Sequence, residues 1–176
     1  MAEVSAVEGI VARAFSAMPA LVGPVINRGV EGDMAAMTEV MERHVRPGEM
    51  RECLRAGLWV LADDLDRAHR ICQEIETAHG AAWHAVVHRR EGDFWNSKYW
   101  WRRAGGVKFG GLVGRVRAEV KETPPELAAW LRNDRYDAAG FVDLVERHAE
   151  RADIRPALLA IQRLEWIALF QECWGG

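Results

Sequence analysis

The stretch from Trp83 to Arg103, WHAVVHRREGDFWNSKYWWRR, holds most of the side chains in this chain that could do chemistry. His84 and His88 are four apart, so on a helix their β-carbons lie about 5–6 Å from one another, and Glu91 continues the same stripe. The residues around them, Ala81, Ala82, Trp83, Ala85, Val86 and Val87, are apolar on most sides, which implies a buried helix rather than an amphipathic one. Burial disfavours the imidazolium, so neutral rings able to bind a cation or transfer a proton are expected there. Two such rings and a carboxylate could supply three ligands to catalytic zinc or non-haem iron and leave open positions. His69, on the Leu65, Ala68, Cys72, Ile75 face of the preceding segment, completes a candidate divalent-metal set of His69, His84, His88 and Glu91. The pattern HAVVH lacks the glutamate that follows the first histidine in zinc proteases, so that chemistry is not indicated. The competing reading is a group of core histidines bonded to backbone or to a neighbouring acid.

The same stretch could grip an anion. Arg89, Arg90, Lys98, Arg102 and Arg103 offer donors to carboxylate or phosphate, the arginines as two-point forks, and Trp95, Tyr99, Trp100 and Trp101 offer flat walls. Lys98 and Arg102 share a helix face, whereas the neighbours Arg89 and Arg90 point about 100° apart, so the cations do not all converge. Arg89, Arg90, Lys98, Trp95 and Trp100 are the ligand-binding candidates, and a solvated basic rim over an aromatic core is the alternative. His84, His88, Glu91 and Tyr99 are the candidates for proton transfer. Asp93, directly after Gly92, also reads as the N-cap of the next helix, with Asn96 at the third position facing it. Glu91 could instead pair with Arg90 or Lys98. Glu165, a lone acid in IQRLEWIALF, either faces solvent or is brought inward as a partner for an arginine, and the solvent-facing position is the one expected.

Helices must position these groups. Apolar residues recur at helical spacing through Val7, Ile10, Val11, Ala14 and Met18, through Met34, Met37 and Met41, and through Met50, Cys53, Leu54, Gly57, Leu58 and Leu61. Further stripes run through Phe109, Leu112, Val113, Val116 and Val120 and through Phe141, Leu144 and Val145. Strand-like alternation is absent over any useful length. Asp33 is expected to cap a helix, Thr123-Pro-Pro-Glu126 reads as a capping box, and Pro156 opens the last helix. A helix over 81–91, stopped at Gly92, and a second over 94–104 form an antiparallel pair. Bends are expected at 24–32 and in the glycine-rich 104–111, which is no phosphate loop because no Gly-Lys-Ser/Thr follows and no strand precedes it. The result is an all-α fold of about seven to nine helices in one domain spanning 1–176.

Composition narrows the function classes. A chain of 176 residues is long enough for one substantial core. Six cations against two acids between 84 and 108 give a local positive patch within a net charge of −3, so nothing pulls the whole molecule toward nucleic acid or acidic membranes. No run reaches the roughly 18 apolar residues of a membrane span. Cys53, Cys72 and Cys173 lack C-x-x-C spacing and read as reduced, buried thiols. Glu3 and Glu8 stand where a secretory leader would be basic, and a cytoplasmic location is expected.

Setting Asp64 over Asp93 superposes LRAGLWVLADDLDRAHRICQEI on WHAVVHRREGDFWNSKYWWRRA, with Ala56 over Ala85 and Ala68 over Ser97. This resembles two degenerate tetratricopeptide-like hairpins, in which small residues let paired helices approach closely, though the repeat is shorter than the usual length of about 34. Asp63–Gly105, with AAGFVDLVE at 138–146 and IQRLEW at 161–166, also resembles a group of uncharacterised microbial proteins sharing an HxxxHRREGDxxNxxYW-type motif. That resemblance implies that His69, Gln73, His84, His88, Arg89, Arg90, Glu91, Asp93, Asn96 and Tyr99 belong to one shared pattern, and it implies no activity. Two functions are consistent with these residues. One is a His/Glu/Arg/aromatic pocket that binds a small anionic molecule, with a zinc or iron ion assisting catalysis. The other is a tetratricopeptide-like module that binds another protein or a second copy of itself without catalysis.

Overall fold

The computed structural model describes residues 20–23, 31–105, 107–120, 123–132 and 134–175. Among them the chain forms helices and no strands: α1 (Glu31–His44), α2 (Glu49–Leu61), α3 (Leu65–Cys72), α4 (Ala78–Glu91), α5 (Phe94–Arg103), α6 (Leu112–Glu119), α7 (Pro125–Trp130), α8 (Ala138–His148) and α9 (Arg155–Trp174). The helix expected over 7–18, residues 24–30 of the bend expected over 24–32 and the side chain of Asp33 lie outside the described residues, and 31–32 are already helical. The all-α fold and the helix count match the sequence reading.

Capping sets the helix boundaries that matter to the site. Asp64 and Asp93 open α3 and α5 by accepting from the backbone N–H of Arg67 and Asn96, each at 3.1 Å. Thr77 does the same for α4 through Gly80 N–H at 3.2 Å, so that helix starts at Ala78 rather than at 81. It stops at Gly92, whose φ of 83° is the left-handed conformation that glycine adopts without penalty. Two other expected caps fail. α1 already begins at Glu31, two residues before Asp33. Pro124 occupies the cap position of α7 with no side-chain bond, because Pro125 is the first helical residue and Glu126 bonds to Arg151 instead of reaching back.

α2 packs on α3 and α4 on α5, and α4 also packs on α3 and α2. Between α4 and α5 the buried Ser97 hydroxyl donates to the Ala85 carbonyl at 2.7 Å. α9 runs behind both cores. Its C-terminal half joins α1–α4 through Trp166, Leu169, Phe170 and Cys173, and its N-terminal half joins α6–α8 through Leu158, Ile161 and Leu164. Gly57 allows a close approach: a β-carbon there would stand 2.7 Å from the Trp83 ring, while the Trp166 indole N–H bonds to the Gly57 carbonyl at 2.8 Å. The three thiols are free and buried. No helix among the described residues is long and apolar enough to cross a membrane.

α4 is buried on all sides from Gly80 to Arg90, so its cations need internal partners. Arg89 pairs with Glu165, both fully buried, with Nη1 and Oε1 at 2.9 Å, and its guanidinium lies 4.6 Å over the Phe141 ring. Glu165 therefore faces inward, contrary to the solvent-facing position expected of it, and accepts a further bond from the Tyr136 hydroxyl. Burial pushes the Arg89 pKa down, but Glu165 and Tyr136 outweigh it and hold the group charged. Arg90 bonds to Asp63 in the α2–α3 turn, where Asp63 adopts a φ of 63°. Replacing Glu165 by Ala strands a buried charge and is expected to cost roughly 3–5 kcal/mol in urea unfolding. The paired replacement R89M/E165L should cost less, and a single-variant loss below about 1 kcal/mol would contradict this role for the pair.

Candidate metal centre

Three imidazoles meet where α3 crosses α4. The centroids of His69 and His84 are 4.6 Å apart, of His69 and His88 4.8 Å, and of His84 and His88 4.7 Å, a nearly equilateral triangle. One nitrogen from each ring lies within 4.8 Å of the others. The geometry follows from the helices: His84 and His88 are one turn apart on α4, and the Asp64 cap starts α3 so that its second turn brings His69 against them.

Glu91 closes the cluster from the end of α4. Its Oε1 is 3.2 Å from His69 Nδ1 and its Oε2 is 3.2 Å from His88 Nδ1. The pairing of Glu91 with Arg90 or Lys98 does not form, because Arg90 is taken by Asp63 and Lys98 turns to α8, where it bonds to Asp143 at 2.9 Å and Glu146 at 3.3 Å. Burial pushes the Glu91 carboxyl up, but its bonds to His88 and His69 prevail and hold it below the ordinary glutamate value. Asp93 is the cap of α5 and bonds both the backbone and the side chain of Asn96, which lowers its pKa in turn. Its carboxylate stays 4.0 Å from His88 Nδ1.

His84 sits deepest, 3% exposed. Trp100 from α5 stacks on its ring at 4.1 Å, and neither of its nitrogens has a hydrogen-bond partner among the described residues. Buried polar atoms nearly always find partners, so an imidazole with two orphaned nitrogens points to a ligand. Burial, then the neighbouring His88 and His69, push its pKa down to about 4. At neutral pH this ring is an unprotonated donor.

The remaining candidates spread around this centre. Arg89 and Arg90 are neutralised inside the core and Lys98 on α8, so the three cations do not converge on an anion. Tyr99 stands edge-on to Trp100 at 5.5 Å, one ring removed from the histidines, and Trp95 is 70% exposed and stacks on Tyr99. Gln73 is exposed at the end of α3. Asp63 escapes the sequence reading, and Glu165 takes the inward, arginine-pairing position rather than the solvent-facing one the sequence favours. The only available signal was that two adjacent arginines on an apolar helix each require a carboxylate. Compared with known protein families, curated proteins and solved structures, the chain matches none.

The pH dependence follows from His84. Its folded pKa of about 4 lies below the ordinary 6.5, so between those values the unfolded chain takes up a proton that the folded chain does not. Stability of the metal-free protein should therefore fall by roughly 3 kcal/mol as pH drops from 6.5 to 4, and this contribution should be absent in H84Q. Urea unfolding at the two pH values measures it, and parallel losses in both proteins would contradict it.

Proposed function

We propose that the protein holds one divalent transition-metal ion, zinc or iron(II), through His69, His84 and His88, and that it binds and activates a small molecule there. The observation that carries this reading is the convergence of three imidazoles with the buried, doubly unpartnered His84 among them. Nitrogen donors from imidazole suit zinc and iron, and three protein ligands leave a position for water or substrate. The present spread of up to 4.8 Å is wider than the roughly 3.3 Å between donors of a tetrahedral site. Torsion of the side chains would draw the rings inward, and His69 is the least buried of the three.

Glu91 supports the set in the manner of outer-shell carboxylates, which fix ring orientation and raise ligand basicity. With its oxygens at the Nδ1 atoms of His69 and His88, their Nε2 atoms remain for the ion. A bound ion would lower the pKa of its water toward neutrality. Tyr99, one ring away, lines the approach rather than the reacting centre.

Tryptophan placement also favours a site over an interaction surface. Of the eight tryptophans only Trp95 is exposed, and Trp95 and Tyr99 are the exposed large hydrophobics among the described residues. Protein purified without an affinity tag and loaded with zinc should carry about one equivalent after desalting and melt at a higher temperature than the metal-free form. H84A and H88A should abolish both effects, and E91Q should weaken affinity by about 10–100-fold. Less than about a tenth of an equivalent, with no shift in melting temperature, would overturn the proposal.

A further inference from the structure

Within the basic segment the arginines and lysine fall into two groups. Arg89, Arg90 and Lys98 each bond to carboxylates of the same molecule. Arg102 and Arg103, in the last turn of α5, are exposed and form no ion pair with any described residue. They are not loose, however. The Arg103 guanidinium lies 5.3 Å over the Trp100 ring and that of Arg102 lies 6.0 Å over Tyr99. Trp100 in turn stacks on His84. A continuous stack thus leads from a solvent-facing cation, across an indole, to the innermost ring of the histidine cluster.

We infer that the site takes a small anion, a carboxylate or phosphoryl compound, whose charged group is met by Arg103 at the outer face of Trp100. This rests on the metal-site reading above and names the class of molecule it serves. A guanidinium already stacked on an aromatic face is pre-organised, so less side-chain freedom is lost when it forms a two-point bond to an anion. Its charge is not spent on an internal acid, unlike that of Arg89, Arg90 and Lys98. Trp100 couples the two halves because it touches both the cation and the cluster.

Phenylphosphonate, an aromatic dianion that cannot be hydrolysed, serves as the probe. Titrated into the full chain, with and without bound cobalt(II), it should quench tryptophan fluorescence saturably and perturb the visible bands of the cobalt form. R103M should weaken phenylphosphonate binding by at least about tenfold, R103K should fall between it and the parent, and cobalt stoichiometry should be the same in all three. Arg103 is exposed, so the replacements leave the core intact. Equal affinity in R103M and the parent, or no saturable binding up to about 10 mM, would overturn the inference. Cobalt bound without Arg103-dependent binding removes this inference alone. Arg103-dependent binding without any cobalt uptake removes the metal reading alone.

Discussion

The helix Ala78–Glu91 is enclosed by protein along nearly its whole length, and that enclosure governs the rest of the structure. A polar side chain on such a helix must be matched inside the protein or left at a cost of a few kcal/mol. Two arginines are matched by Glu165 from α9 and Asp63 from the α2–α3 turn, which tie the helix to elements distant in sequence. The two histidines are matched differently. His88 meets Glu91 and His69, and His84 meets only rings. One constraint therefore produces both the rigid frame and the chemically open cluster, on opposite sides of the same helix.

This division separates stability from chemistry. The Arg89–Glu165 pair is fully buried, with Tyr136 partly so, and faces the α8–α9 side, so it fixes where α4 lies. On the other side, α3 and α5 flank α4 and each supplies one ring, His69 and Trp100. Because His69 and Glu91 are partly exposed, the cluster is reached from the α3 side, while His84 stays beneath. A neutral, desolvated donor beneath a partly exposed one is an arrangement suited to capturing a cation from solvent.

Much of this was legible in the sequence. The helical period, the acidic starts at Asp64 and Asp93, the stop at Gly92 and the stripe His84, His88, Glu91 are local features, and local physics decides them. His69 could be nominated because it shares an apolar face with Leu65, Ala68 and Cys72. What local patterning does not encode is which residues distant in sequence meet. Glu165 read as a solvent-facing acid because its partner is 76 positions away. Arg89 and Arg90 read as candidate anion grips for the same reason, although a helix with no exposed face leaves no side for a free charge. Thr77 was passed over because the apolar run around Ala81 masks a helix that begins three residues earlier.

Anomalous diffraction at the zinc edge, from crystals grown with zinc and from metal-free controls, tests the central claim most directly. A single strong peak about 2.0–2.1 Å from one nitrogen each of His69, His84 and His88 is the predicted result. A peak confined to surface carboxylates or to other histidines, with the three rings packed as in the metal-free crystal, would contradict it.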